Sequence, residues 1–291
     1  MTIDVDALLN WPFPVQHQTY AEKDTILYAL ALGYGGRPTD GGELGFVYER
    51  DLQAVPTMAA TLCHPGFWIS DPRTGIDATR VVHGEQLMTF HAPLPVKATV
   101  RGQTRVVDVV DKGRDKGALL TSARQIHDEQ SGTLLASIEQ RTMCRGDGGF
   151  SRTVAATAKA VPAAKPAEPA PAPDHVVDIA TLPQAALIYR LCADPNPLHA
   201  DPAVARAAGF ERPILHGLCT YGIAARAVIE ACCANDASAL TALSARFSAP
   251  VFPGELIRTE IWNDGRERRF RCVVPARGVT VISNGMATTR P

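Results

Sequence analysis

Several features that would narrow the reading are missing from this sequence. The seven cysteines, Cys63, Cys144, Cys192, Cys219, Cys232, Cys233 and Cys272, are odd in number and contain no C-x-x-C pair. That pattern argues against a disulfide framework and a zinc module. Because the cysteines lie mostly in apolar runs, they suit reduced core thiols in a cytosolic protein. Neither sign of charge dominates: 29 Lys and Arg face 30 Asp and Glu, for a formal charge of -1. Nothing there invites a polyanion, so nucleic acid is not the expected partner, and neither is an acidic membrane surface. No apolar run reaches the ~18 residues of a membrane span. The opening "MTIDVDALLNWPFP" is acidic where a signal peptide is basic. The closing "TTRP" carries no peroxisomal address. These absences lead us to expect a soluble, cytoplasmic protein.

What is present is length and internal echo. At 291 residues the chain is about twice a usual domain, which fits two domains or one duplicated fold. The tract "TVAATAKAVPAAKPAEPAPAP", residues 153–173, lacks apolar periodicity and reads as an extended, semi-rigid linker. Three landmarks recur in order on either side of it: "ILYAL" (26–30) and "LIYRL" (187–191), "VHG" (82–84) and "LHG" (215–217), "FHAPLP" (90–95) and "FSAPVFP" (247–253). Ordered repetition favours a duplication, each half a copy of one fold. His83 precedes Phe90 by seven positions and His216 precedes Phe247 by thirty-one, and the added stretch "LCTYGIAARAVIEACCA" has helical apolar spacing. A long central helix is therefore expected in the second half only. Strand signals follow each F-x-A-P element, separated by the turn sequences "DKGRDKG", "DEQSG", "NDGRE" and "PARG". Each half reads as a meandering antiparallel sheet in an α+β arrangement.

The chemistry concentrates in "DPNPLHADPAVARAAGF". Pro195 and Pro197 restrict Asp194 and Asn196 to extended conformations, so the segment is a shaped loop. Asp201 followed by Pro202 is an N-cap with proline in the first turn, and Gly209 is a C-terminal stop. His199 then sits just outside a short helix. An imidazole beside a carboxylate can share a proton and polarise a water. The same residues could instead cap turns and satisfy backbone carbonyls. A metal would need a third ligand, and none lies close by in sequence. Downstream, His216-Gly217 opens the long helix. A glycine there leaves an N–H free at the positive end of the helix dipole, fit to hold a developing oxyanion. Gly217 could equally be a close-packing residue.

The run "ADPNPLHADPAVARAAGFERPILHGLCTYG" resembles the hydratase 2 motif of MaoC-like dehydratases. "YAEKDTILYALALGYG", "VVHGEQ" and "VVDKG" resemble the N-terminal half of the two-domain members, such as the hydratase 2 part of peroxisomal multifunctional enzyme type 2. One position departs: Ala193 stands where the family has glycine. The resemblance implies a double hot-dog fold, with residues 1–150 a non-catalytic acyl-CoA-binding half, 151–175 the linker and 176–291 the catalytic half. It implies reversible hydration of trans-2-enoyl-CoA to (3R)-3-hydroxyacyl-CoA, of medium or long chain, with no cofactor, no metal, a CoA or acyl-carrier-protein thioester as partner, and a homodimer. On that resemblance Asp194 and His199 activate the water, Asn196 sustains their geometry, and the Gly217 N–H binds the thioester carbonyl. Substrate contacts are implied at His83, Gly84, Lys112, Pro195, Pro197, Leu198 and Phe247. From the residues alone, Lys112 reads as a solvated turn charge and Phe247 as core. A hot-dog thioesterase and a non-catalytic acyl-CoA-binding protein remain as alternatives.

Overall fold

The computed structural model describes residues 3–37, 39–151, 171–192 and 194–290. Most of the expected linker, together with Ala193, lies outside the described residues. The first half contributes α1 (Val5–Leu9), β1 (Gln16–Tyr20), α2 (Glu22–Ala31), α3 (Gly41–Leu44), β2 (Val81–Phe90), β3 (Ala98–Asp111), β4 (Ala118–Asp128) and β5 (Leu134–Cys144). The second contributes β6 (His175–Ala180), α4 (Ala185–Cys192), α5 (Pro202–Ala207), α6 (Gly217–Cys232), β7 (Leu240–Phe247), β8 (Leu256–Asp264), β9 (Glu267–Val274) and β10 (Val279–Thr289).

Among the described residues the ten strands form one antiparallel sheet in the order β1-β3-β4-β5-β2-β7-β10-β9-β8-β6. Read inward from either edge the order is the same: first strand of the half, then third, fourth, fifth and second. This is the double hot-dog arrangement expected. The two copies join through β2 and β7, where Glu85 pairs with Arg246 and Thr89 with Ala242. "ILYAL" and "LIYRL" fall in α2 and α4, and Phe90 and Phe247 end β2 and β7, so those two repeated landmarks mark equivalent places. The third does not. His83-Gly84 lies inside strand β2, whereas His216-Gly217 starts helix α6. The local likeness "VHG" and "LHG" is not a structural equivalence.

The four turn sequences join β3 to β4, β4 to β5, β8 to β9 and β9 to β10. Asp111 ties the first of these down: its carboxylate accepts from the N–H groups of Gly113, Gly149 and Ser151.

Helix α6 is buried without interruption from Cys219 to Ile229, as a helix hydrophobic on all sides must be. It comes close to the first half at Gly222, where a Cβ would stand 2.6 Å from the Leu32 side chain. Among the described residues the first half has no equivalent helix. The turn Pro56–Ala60 packs against α6 instead. A cavity of about 150 Å³ remains, lined by β1, α2 and the end of α4 and including Leu27, Tyr28, Met58, Leu62, Leu191 and Cys192.

Candidate active site

The loop after α4 is built by short polar caps. The Asp194 carboxylate accepts from the Asn196 N–H at 2.9 Å, Asn196 Oδ1 accepts from the Leu198 N–H at 3.0 Å, and the Asp201 carboxylate accepts from the Ala203 N–H at 2.7 Å. Pro197–His199 forms one 3-10 turn that Asn196 caps. Asp201 caps α5, and Gly209, at φ +87°, ends the helix as expected. The turns of the loop are thus braced by its own side chains. It is also the capping arrangement that the residues alone allowed, so the structural and chemical readings coexist.

His199 is 8 % exposed. Its Nδ1–H donates to the Ile214 carbonyl at 2.8 Å; a carbonyl can only accept, so Nε2 keeps its lone pair. Burial pushes the His199 pKa down, opposed by the Ile214 bond and the Asp194 carboxylate. The ring is therefore held neutral, with a bare nitrogen. Asp194 spends one oxygen on Asn196 and keeps the other free of protein donors among the described residues.

His216 completes the cluster. Its ring stacks on His199 with centroids 3.7 Å apart and planes 29° apart. Its Nε2–H donates to the Asp194 backbone carbonyl at 3.1 Å. Burial pushes its pKa down to about 4, with His199 adding to the effect and the Asp194 carbonyl bond and carboxylate opposing it. Ligand-type atoms of Asp194, His199 and His216 lie within 4.8 Å of one another, supplying the third group that sequence proximity lacked. The donor set does not suit a metal, however. Imidazole lone pairs lie in the ring planes, and two stacked rings direct them too nearly parallel to meet at one ion ~2.0–2.1 Å from each.

Next along the chain is the Gly217 amide. The N–H groups of Cys219 and Thr220 close the first turn onto the His216 carbonyl. Among the described residues no acceptor takes the Gly217 N–H. A Cβ on Gly217 would sit 3.4 Å from the Phe247 ring, so the missing side chain leaves a slot beside that amide. The other side of Phe247 meets His83, with ring centroids 4.7 Å apart. The two H-G pairs therefore converge on one phenylalanine although they occupy different elements. His83 reaches it because the β2–β5 register shifts between His83 and Glu85. Gly84 permits the irregularity, since a Cβ there would stand 3.2 Å from the Arg141 carbonyl oxygen.

Asp194, Asn196, His199, Gly217, Phe247, His83 and Gly84 are thus gathered at the seam of the two halves. Pro195 and Pro197 are exposed and Leu198 is half-buried on the same loop. Lys112 is apart, at the β3–β4 hairpin. Three strand spacings, ~14 Å, separate β3 from β2. Sequence reading missed the ring of His216, although its motif was quoted for the glycine. It also missed His64, whose Nδ1 accepts from the Gly66 N–H. Burial lowers the His64 pKa to about 4, Arg124 adding to the effect and the Asp194 carboxylate opposing it. The signal for His64 was absent, because only folding brings it within reach of the Asp194 charge.

Comparison with known proteins finds two family models on this chain. "MFE-2 hydratase 2 N-terminal domain" matches residues 18–146 and "MaoC like domain" matches 164–285. Enoyl-CoA hydratase ChsH3 of Mycobacterium tuberculosis is 37 % identical over 98 % of both chains. The peroxisomal enoyl-CoA hydratase 2 of Arabidopsis thaliana is 37 % identical over 96 % of this chain and 93 % of its own. Among solved structures, a MaoC-like dehydratase from Phytophthora capsici superposes with a TM-score of 0.81 at 31 % identity, covering 99 % of each chain.

Proposed function

Because the chain belongs to the MaoC-like family, in the form that begins with an MFE-2 hydratase 2 N-terminal domain, we propose that it catalyses the reversible hydration of trans-2-enoyl-CoA to (3R)-3-hydroxyacyl-CoA. The observation that carries this reading is the paired vacancy in the loop. His199 Nε2 and one Asp194 oxygen are unspent among the described residues, on side chains whose ligand-type atoms come within 4.8 Å, beside an amide that no acceptor takes among the described residues.

A water held between Asp194 and His199 loses a proton as its oxygen bonds to C3. The pair supplies a proton to C2, so the elements of water are added and nothing else is consumed. Burial keeps His199 neutral and able to accept. Addition drives charge onto the thioester oxygen, where the Gly217 N–H at the start of α6 is placed to receive it. A preorganised donor of that kind is worth ~10²–10³ in rate. Dehydration uses the same groups in reverse. Asn196 holds the turn, and Leu198, Pro195 and Pro197 shape its outer surface. His83, Gly84 and Phe247 form the wall opposite, and Lys112 is assigned to a CoA phosphate.

The cavity beside Leu191 and Cys192 has a mixed lining, in which Leu27, Met58, Leu62 and Leu191 supply apolar surface and several polar groups are spent locally: Gln18 on the Cys63 N–H, Asp24 on the Ala21 N–H, Thr61 on the Met58 carbonyl. This supports a medium- or long-chain acyl group, CoA-bound. The working form is taken as a cytoplasmic homodimer, a reading supported by the family resemblance and by seven free thiols.

The test is a chain-length series of trans-2-enoyl-CoA substrates, following loss of enoyl absorbance, free thiol release and product chirality. We expect absorbance loss without thiol release and an R product. Thiol release in its place would identify a thioesterase. Asp194→Asn and His199→Gln should each lower kcat by ~10²–10⁴ with the fold retained. Undiminished turnover in both would leave only a binding role.

A further inference from the structure

We propose that His216 is a positioning residue for the hydration reaction, holding the acid/base loop and the oxyanion amide at a fixed separation through its Nε2–H bond to the Asp194 carbonyl. The inference rests on the hydration reading given above and deepens it by adding a residue outside the D-x-N-P-x-H turn.

Three contacts of one side chain make the case. The ring is 2 % exposed, so its orientation is fixed by packing. One face lies on His199 at 3.7 Å between centroids, which sets the plane in which the His199 lone pair is presented. Tyr189 flanks it at 4.9 Å, and Tyr28 in turn lies 5.8 Å from Tyr189. The ring is thereby backed by α4 and, behind it, by α2 of the other half.

The Nε2–H points back along the chain to residue 194, while the backbone of His216 is the N-cap of α6 and is followed directly by Gly217. One residue therefore spans the two parts of the site, one anchored to the carbonyl of the carboxylate-bearing residue and the other to the amide. The start of α6 is itself pinned, since the Leu215 N–H donates to the Val251 carbonyl at 2.7 Å. A shift of the loop relative to α6 must break the His216–Asp194 bond.

A purely structural histidine would be expected to use both nitrogens. Here Nδ1 is buried with no hydrogen-bond partner among the described residues. With Nε2 protonated for the Asp194 carbonyl, Nδ1 is a bare acceptor in an apolar setting, which is unfavourable to folding. An aromatic hydrocarbon ring would fill the same space without that burden. Retaining the imidazole is explained by what Nε2 does for Asp194.

The side chains that mimic each nitrogen separate the possibilities. His216→Gln places an amide N–H near the Nε2 position, His216→Asn places one near Nδ1, and His216→Phe keeps a stacked ring with no donor. Purified variants are compared with the parent for kcat, KM and melting temperature on an enoyl-CoA substrate. We expect His216→Phe to melt no lower than the parent but to lose ~10²-fold in kcat, as a misplacement on the order of 1 Å can cost, with KM within about twofold. His216→Gln should recover to within ~10-fold of the parent and His216→Asn should not. Parent-like kcat in the Phe and Asn variants would overturn the proposal, as would Gln no better than Asn at matching melting temperatures. Should the Phe variant fail to fold, the Gln and Asn pair decides. A parent without hydration activity overturns both readings, whereas loss confined to the Asp194 and His199 variants leaves hydration standing and removes only the role of His216.

Discussion

At His199 the hydrogen-bonding capacity of one ring is divided: Nδ1–H anchors to Ile214, and Nε2 keeps its lone pair for the proton transfer proposed above. The same division holds at Asp194, with one carboxylate oxygen taken by the turn and the other free of protein donors among the described residues. Burial keeps the nearby imidazoles neutral, and this has a consequence for stability. His64, His83 and His216 each carry a folded-state pKa of about 4 against an ordinary value of 6.5, with burial as the first cause. Between those values the unfolded chain binds more protons than the folded one, so stability is complete above pH 6.5 and falls as pH drops toward 4. Melting temperatures recorded from pH 8 to 4 should decline through that window; a flat profile would show that these rings are not buried as neutral groups. The three signature polar residues of the loop were legible because they lie within six positions. The His216 partnership was not, since Asp194 and His216 are 22 positions apart and only folding stacks one histidine on another.

At the scale of elements, helix α6 carries a buried arginine. Arg226 is 5 % exposed and Glu43, on α3, 1 % exposed. The Arg226 guanidinium donates to the Glu43 carboxylate and to the Leu32 carbonyl. Arg37 donates to the same carboxylate and also pairs with Glu230 on α6. This network fixes the long helix against α3 and the end of α2 in the first half. Glu43→Gln would leave Arg226 buried without its counter-charge, at a cost of ~3–5 kcal/mol, which exceeds what one neutral hydrogen bond returns, ~1 kcal/mol. Chemical denaturation of the variant should report a loss of that size; a change under about 1 kcal/mol would mean that water reaches the pair. From sequence, α6 was expected from its apolar spacing and the meander strands from their turns. The edge strands β1 and β6 went unread because they are short, five and six residues, and β1, "QHQTY", has almost no apolar content. The partners Glu43 and Arg226, 183 residues apart, left no local trace.

For the molecule as a whole, the two halves share one core. A single hydrophobic cluster contains Tyr28, Leu32 and Met58 from the first half together with Tyr189, Ile223 and Leu243 from the second. The seam strand β7 pairs with β10 on one side and with β2 of the other half on the other. The second half alone would expose the β7 edge and the face of α6 that meets Leu32, an invitation to pairing. Residues 171–291 expressed alone should therefore appear as a dimer or aggregate in light scattering, not as a monomer. A stable folded monomer would show that the second half is self-sufficient. The same measurement on the whole chain tests the proposed homodimer.

The sequence by itself determined the local chemistry: which residues share the proline-braced turn, where α5 is capped, which segments after each F-x-A-P element become strands, and that the second half carries the long helix. Those properties follow from neighbours within a few positions, whose sterics and hydrogen bonds are set by the chain's own geometry. Only the tertiary structure decided what faces what. His216 lies on His199, His83 and Gly217 flank Phe247 from different elements, and two meanders fuse into one sheet. Each of these contacts depends on burying apolar surface contributed by both halves, and that free energy belongs to the packed whole and to no segment within it.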